Sequence, residues 1–226
     1  MKTVVVGGHS RNIGKTSVMA GLISNMNGLN WTAVKITQYG HGICSLDGEP
    51  CGCAPTEHAH VLTEERDASG QSDTSRFLAA GARRSFWLRV RQGQLADAFP
   101  ILDRALGDDD YVMIESNSVL SFMTPSLYLV VLDRSQADFK PSALRFLDRA
   151  DALVPIGTCL NGPSAAWPLV EPGIFVNKPK FPMAPGQYSS PDLCEFVRLK
   201  LVCPASQVPT QTPIHQLRGK EQTCQH

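Results

Sequence analysis

The stretch Val4-Val5-Val6-Gly7-Gly8-His9-Ser10-Arg11-Asn12-Ile13-Gly14-Lys15-Thr16-Ser17 decides the fold. Three β-branched residues in a row read as a short buried strand, and the paired glycines end it. Downstream, Val18, Met19, Leu22, Ile23 and Met26 recur at helical spacing and make one apolar face. Asn27-Gly28 supplies the stop. Between strand and helix lies a glycine-flanked loop that ends in Gly14-Lys15-Thr16. A phosphate group needs bare backbone amides aimed at it, and glycine lets the chain curl closely around it. The amides of residues 10–15 are therefore expected to cradle phosphate. Lys15 would neutralise its charge, and the Thr16 hydroxyl would ligate Mg²⁺. Gly8, Ser10, Arg11, Asn12, Ile13, Gly14, Lys15, Thr16 and Ser17 are the candidate nucleotide-binding residues. The common pattern G-x-x-x-x-G-K-[ST] has a glycine where this chain has His9; here the glycine stands one place earlier, at Gly8.

Working outward, strands and helices alternate. A second strand is expected near Thr32 to Thr37, then Ser85 to Val90, Tyr111 to Ile114, Leu127 to Leu132, Ala152 to Ile156 and Ile174 to Val176. Asp73 to Ala80 reads as a short helix capped by Ser72 or Asp73 and closed by Gly81. Leu95, Phe99, Leu102 and Leu106 mark a helical face, and Pro141 and Pro191 suit helix first turns. Alternation of this kind predicts a three-layer α/β fold with a mostly parallel central sheet, whose ligands bind at the C-terminal strand ends. Gly8, Thr37, Glu115, Asp133 and Asn177 all fall on that edge. Residues 38–71 have no clear period and read as a long loop or insertion, which at that length is usually functional or disordered. One domain over 1–203 is expected, followed by a Pro/Gln-rich disordered tail at 204–226.

The 226 residues carry 21 basic and 21 acidic side chains and no long basic run, so nothing favours bulk nucleic-acid binding. No apolar run reaches the roughly 18–20 residues that span a bilayer. The three opening valines are too few for a signal peptide. Seven cysteines, an odd number, suggest reduced thiols. A cytoplasmic location is the expectation.

Further candidates stand at predicted strand ends. Glu115 is placed to hold Mg²⁺ or its water shell, or else to cap the next turn. Asp73 would act on the metal through water, or cap its own helix. Lys35 is either a reacting-group lysine or a surface one, and Asp133-Arg134-Ser135 reads as a helix start. Asn177-Lys178, at a predicted strand end, is similar to the base-binding position of the P-loop NTPases, whose phosphate loop the Gly14-Lys15-Thr16 segment resembles. Lys180 occupies the position at which guanine readers carry aspartate, which favours adenine or no strict choice. Cys44, Cys51 and Cys53 lie near His41, His58 and His60, a donor set suited to Zn²⁺ or an iron–sulfur cluster, or simply flexible thiols.

The shifted loop, Gly-x5-Gly-Lys-Thr, resembles that of dethiobiotin synthetase and, more widely, the SIMIBI-class P-loop NTPases. Lys35, the run from Ser72 to Ala82, and Val112-Met113-Ile114-Glu115 resemble the molybdopterin-guanine dinucleotide biosynthesis protein B family. This likeness covers roughly residues 1–135. It implies a Mg²⁺-dependent protein binding ATP or GTP that assists molybdenum cofactor biosynthesis, with a cofactor enzyme as partner and a homodimer as assembly. Lys15, Lys35 and Glu115 are its implied catalytic residues. Two alternatives stay open: a dethiobiotin synthetase-like ligase using Lys35 on an activated carboxylate, and a nucleotide-gated metallochaperone using the Cys/His insertion.

Overall fold

The computed structural model describes residues 1–40, 59–157, 167, 170, 172–184 and 186–202. Strand β1, Lys2–Gly8, is fully buried from Val4 to Val6 because it runs between two parallel neighbours. These are β5, Tyr111–Glu115, and β6, Leu127–Asp133. Completing the sheet are β2 (Thr32–Tyr39), β3 (His60–Glu64), β4 (Arg84–Arg91) and β7 (Ala152–Ile156). Their order is β3-β4-β2-β5-β1-β6-β7. All neighbours pair parallel except β3, which runs antiparallel along β4.

Strand side chains alternate between faces, so each face builds its own core. Val4, Val6, Ala33, Met113, Leu129 and Val131 meet Met19, Leu22 and Ile23 of helix α1, Lys15–Asn25, together with Phe77 of α2, Asp73–Ala79. Leu193 and Val197 of α5, Pro191–Val202, complete this layer. Val5, Val34, Leu88, Ile114 and Val130 face the other way, onto Ala98 and Leu102 of α3, Leu95–Leu106, with Leu144 of the short α4, Pro141–Leu144, and Leu147 of the 3₁₀ turn after it. At about 1.5–3 kcal/mol for each fully buried aliphatic side chain, these two layers drive the fold. The expected three-layer architecture is what the chain adopts.

Two expectations fail. The stretch read as structureless between 38 and 71 holds the end of β2 and all of β3. β3 hides from a pattern search because it is an edge strand: it buries no residue fully, and only Leu62 packs on a core. Ile174 to Val176 is not a strand. Pro172–Phe175 forms a 3₁₀ turn, and Val176 is exposed. The chain reaches β7 only afterwards, through isolated parallel bridges at Lys180 and Met183. Cys44, Cys51, Cys53, His41, His58 and the tail lie outside the described residues. Among the described residues no helix is long and apolar enough to cross a membrane.

Candidate nucleotide-phosphate site

The loop leaves β1 at the C-terminal edge of the sheet. Gly7 has no room for a side chain, since a Cβ there would lie 2.2 Å from the Asn117 amide oxygen. That amide continues the strand pairing where β5 stops. Gly8 N–H donates to Asn117 Oδ1 at 3.0 Å, and Asn117 Nδ2 donates back to the Gly8 carbonyl at 2.9 Å. Beyond it, Asn12 and Gly14 take left-handed backbone angles, φ 52° and 89°, on either side of a buried Ile13. Left-handed residues turn the backbone inward at little cost only for glycine and, less so, asparagine. Ile13 anchors this curl in the α1 core. Helix α1 then starts at Lys15, with its first amides pointing into the loop.

Lys15 folds back over the loop and donates to the Ser10 carbonyl at 2.6 Å. Its ammonium is not freely solvated, as a surface loop would have left it. Burial, with Lys35 nearby, pulls its pKa below the ordinary lysine value despite the Glu115 carboxylate. Thr16 Oγ1 donates to Glu115 Oε2 at 2.7 Å, joining residues 99 apart in sequence. Lys35 Nζ lies 2.9 Å from Glu115 Oε1, 2.5 Å from Asp73 Oδ2 and 3.4 Å from Thr16 Oγ1. Burial opposes the Lys35 charge, but the two carboxylates outweigh it and hold its pKa above the ordinary value. Asp73 reaches this point because Ser72 caps α2, its hydroxyl accepting from Ser75 N–H at 3.1 Å. Arg76, one turn on, donates to Ser17 at 2.9 Å and ties α2 to α1.

The four candidates Thr16, Lys35, Asp73 and Glu115 thus form one cluster, although Lys35 lies inside β2 rather than at its end. A hydroxyl beside two carboxylates is a hard oxygen donor set, so these residues fit Mg²⁺. Among the described residues no group of three His, Cys, Asp or Glu side chains gathers as a softer metal would need.

Asn177 and Lys178 are a correction. Lys178 Nζ donates to the carbonyls of Asp148 and Ala150, both at 2.7 Å, just before β7 begins. That is the N-terminal edge of the sheet, opposite the loop. The strand that would have carried the pair to the C-terminal edge does not form. Asp133 is spent locally: its carboxylate accepts from Ser135 N–H at 2.9 Å.

Sequence reasoning missed the other flank. His9 is fully buried and touches the rings of Phe139 and Trp167. Its Nε2 accepts from Asp133 N–H at 3.0 Å, so the proton sits on Nδ1, which donates to the Asp138 carbonyl at 2.8 Å. Burial pushes its pKa down, and the ring is neutral. The one available signal was the odd residue in the glycine slot.

No family model matches this sequence, and no curated protein matches it. Solved structures do resemble it. Hydrogenase maturation factor HypB from Archaeoglobus fulgidus aligns at TM-score 0.50 and 13% identity, over 88% of this chain and 90% of that one. The fold is that of the P-loop NTPases. HypB from Helicobacter pylori in complex with nickel aligns at TM-score 0.44 and 16% identity, over 87% and 86% of the two chains. LpxK from Aquifex aeolicus in complex with ATP aligns at 0.41 and 16%, over 81% of this chain and 54% of that one. Likeness at such identities concerns the fold alone.

Proposed function

We propose that this chain binds a Mg²⁺–nucleoside triphosphate, ATP or GTP, at residues 8–17 and hydrolyses it slowly. One observation carries the reading: Thr16 and Glu115, distant in sequence, meet at 2.7 Å at the mouth of a loop curled by Asn12 and Gly14. The amides of residues 10–15 and the Lys15 ammonium would bind the phosphates, trading the internal Lys15–Ser10 contact for a ligand oxygen. Thr16 and Glu115 would hold Mg²⁺, which supplies charge neutralisation at the phosphates. Lys35 would orient Glu115 and Asp73 and hold the proton balance of that pair. Phosphoryl transfer asks a protein mostly for positioning and charge, so these groups suffice for slow turnover.

Calorimetric titration with ATP and GTP, with and without Mg²⁺, tests this. Micromolar or tighter binding that needs Mg²⁺ and vanishes in Lys15→Ala is expected. A folded Lys15→Ala protein with unchanged affinity would sink the assignment.

The more specific reading is an accessory role in molybdenum cofactor biosynthesis, cytoplasmic and homodimeric, with a cofactor enzyme as partner. Its support is that the segments carrying that family resemblance, at Lys35, Asp73 and Glu115, converge on one point. Titration with molybdopterin decides it: saturable binding weakened by Lys35→Ala supports the role. Binding of a small carboxylate in its place favours the ligase.

A further inference from the structure

Residues 133–140 run from the end of β6 to the start of α4 and form the flank of the loop opposite Lys35. They are stitched to it. Besides the two His9 contacts, Ser10 Oγ donates to Asp138 Oδ2 at 2.9 Å, and Lys140 N–H donates to the His9 carbonyl at 2.8 Å. Lys140 is therefore fixed beside the loop, as the residue that caps α4. Its ammonium shares the field of Lys15 and Arg11. The carboxylates that also act on it, Asp138 and Glu115, have other partners: Ser10 for the first, Thr16 and Lys35 for the second. Among the described residues, the Lys140 ammonium makes no hydrogen bond or ion pair. Burial first, and then those two cations, bring its pKa down to about 8. Repulsion from nearby cations raises the free energy of the Lys140 ammonium in the ligand-free protein, and a bound anion lowers it.

We propose that Lys140 binds the terminal phosphate of the nucleotide, so that the site separates triphosphate from diphosphate through this residue. The placement fits: the amides of residues 10–15 are the ones expected to take phosphate, and Lys140 borders the loop just before them, through its backbone bond to the His9 carbonyl. The inference rests on the nucleotide reading above and adds a residue and a selectivity to it.

The test is calorimetry on the full chain with Mg²⁺, comparing the non-hydrolysable β,γ-imido analogue of ATP with ADP, and likewise the guanine pair. A charge-assisted contact contributes about 10- to 100-fold in affinity. Lys140→Met should lose about that much for the triphosphate analogue and stay within about twofold for the diphosphate. Lys140→Arg should keep most of the selectivity. Equal losses for both ligands, or no loss for either, would overturn the role of Lys140 while leaving the loop assignment intact. Wild-type protein that binds neither ligand overturns the nucleotide reading itself. A thermal melt of each variant, with Lys140→Gln as a second neutral replacement, separates lost binding from lost fold.

Discussion

On one side of the phosphate loop, β2, β5 and α2 bring Lys35 against two carboxylates. On the other, β6 and α4 bring Lys140 against two more cations. The first flank is charge-paired before any ligand arrives, and its lysine is held above the ordinary pKa. On the second, the Lys140 ammonium has no hydrogen-bond or ion-pair partner among the described residues, and it is held below. A paired flank with hydroxyl and carboxylate oxygens suits a metal cation; a flank where cations gather suits an anion. A metal–phosphate complex presents both charges, one to each side.

The largest effect should come from Lys15, which lies between the flanks. Lys15→Ala is expected to weaken nucleotide binding on the order of 100-fold or more, read by calorimetry. Its melting temperature should change little, because burial already disfavours this ammonium in the folded state. If Lys15→Ala binds as wild type does, the loop is not the phosphate site and the contrast between its flanks loses its meaning.

Next is the paired flank. Lys35→Met strands Glu115, which is 5% exposed, and Asp73 without their cation. Removing one partner of a buried ion pair costs about 3–5 kcal/mol, and the partial exposure of Lys35 and Asp73 places this case near the lower end. Urea unfolding should show it. The double variant Lys35→Met/Glu115→Leu should recover most of the loss, because no buried charge is then left alone. A single variant as stable as wild type would mean that the flank is not held by charge pairing.

How much of this was legible in the sequence follows from the reach of each interaction. Val4 to Val6, the α1 periodicity and the strand ending at Glu115 depend on local pattern, and they gave the sheet and its binding edge. β3 and the 172–183 stretch did not yield, because edge pairing leaves little burial and because Lys180-Phe181-Pro182-Met183 hides its contact with β7 among prolines. Ile174-Phe175-Val176 has strong strand propensity, yet it follows Pro172-Gly173 and turns instead. Within the site, Thr16, Asp73 and Glu115 stand at element ends as expected, whereas Lys35, expected at the end of its strand, lies inside β2, which runs on to Tyr39. Their pairing was not visible, since it is set by side-chain reach between strands. The Asn117 clamp and the 133–140 flank were invisible for the same reason.

That flank is built on His9, and His9→Ala should cost about 2 kcal/mol, through lost ring packing against Phe139 and Trp167 and two orphaned backbone groups. The pH dependence has a definite sign. The folded pKa of His9 is depressed, so its contribution is fully present above the unfolded value of 6.5 and is lost as pH falls below it toward the folded value. The stability difference between wild type and His9→Ala should therefore shrink as pH drops from 7 to 5. A constant difference would mean that the ring is protonated without penalty.

The smallest effect is the sharpest test of the contrast, because its sign is opposite to that of Lys35. With no anionic partner among the described residues, Lys140 gains nothing from its charge in the ligand-free protein, and replacing it removes repulsion from Lys15 and Arg11. Lys140→Met should raise ligand-free stability at pH 7 by a few tenths of a kcal/mol, up to about 1, since solvent partly screens this half-buried group. The pH profile carries the same sign. Between about 8 and 10.5 the unfolded chain keeps the Lys140 proton that the folded one has released, so wild-type stability gains with rising pH in that window. Lys15, also depressed, adds to the rise in both proteins, so the difference between wild type and Lys140→Met isolates Lys140. The advantage of the variant should fade above pH 8. If Lys140→Met instead destabilises the protein as Lys35→Met does, Lys140 is held by a favourable contact, and the two flanks are alike.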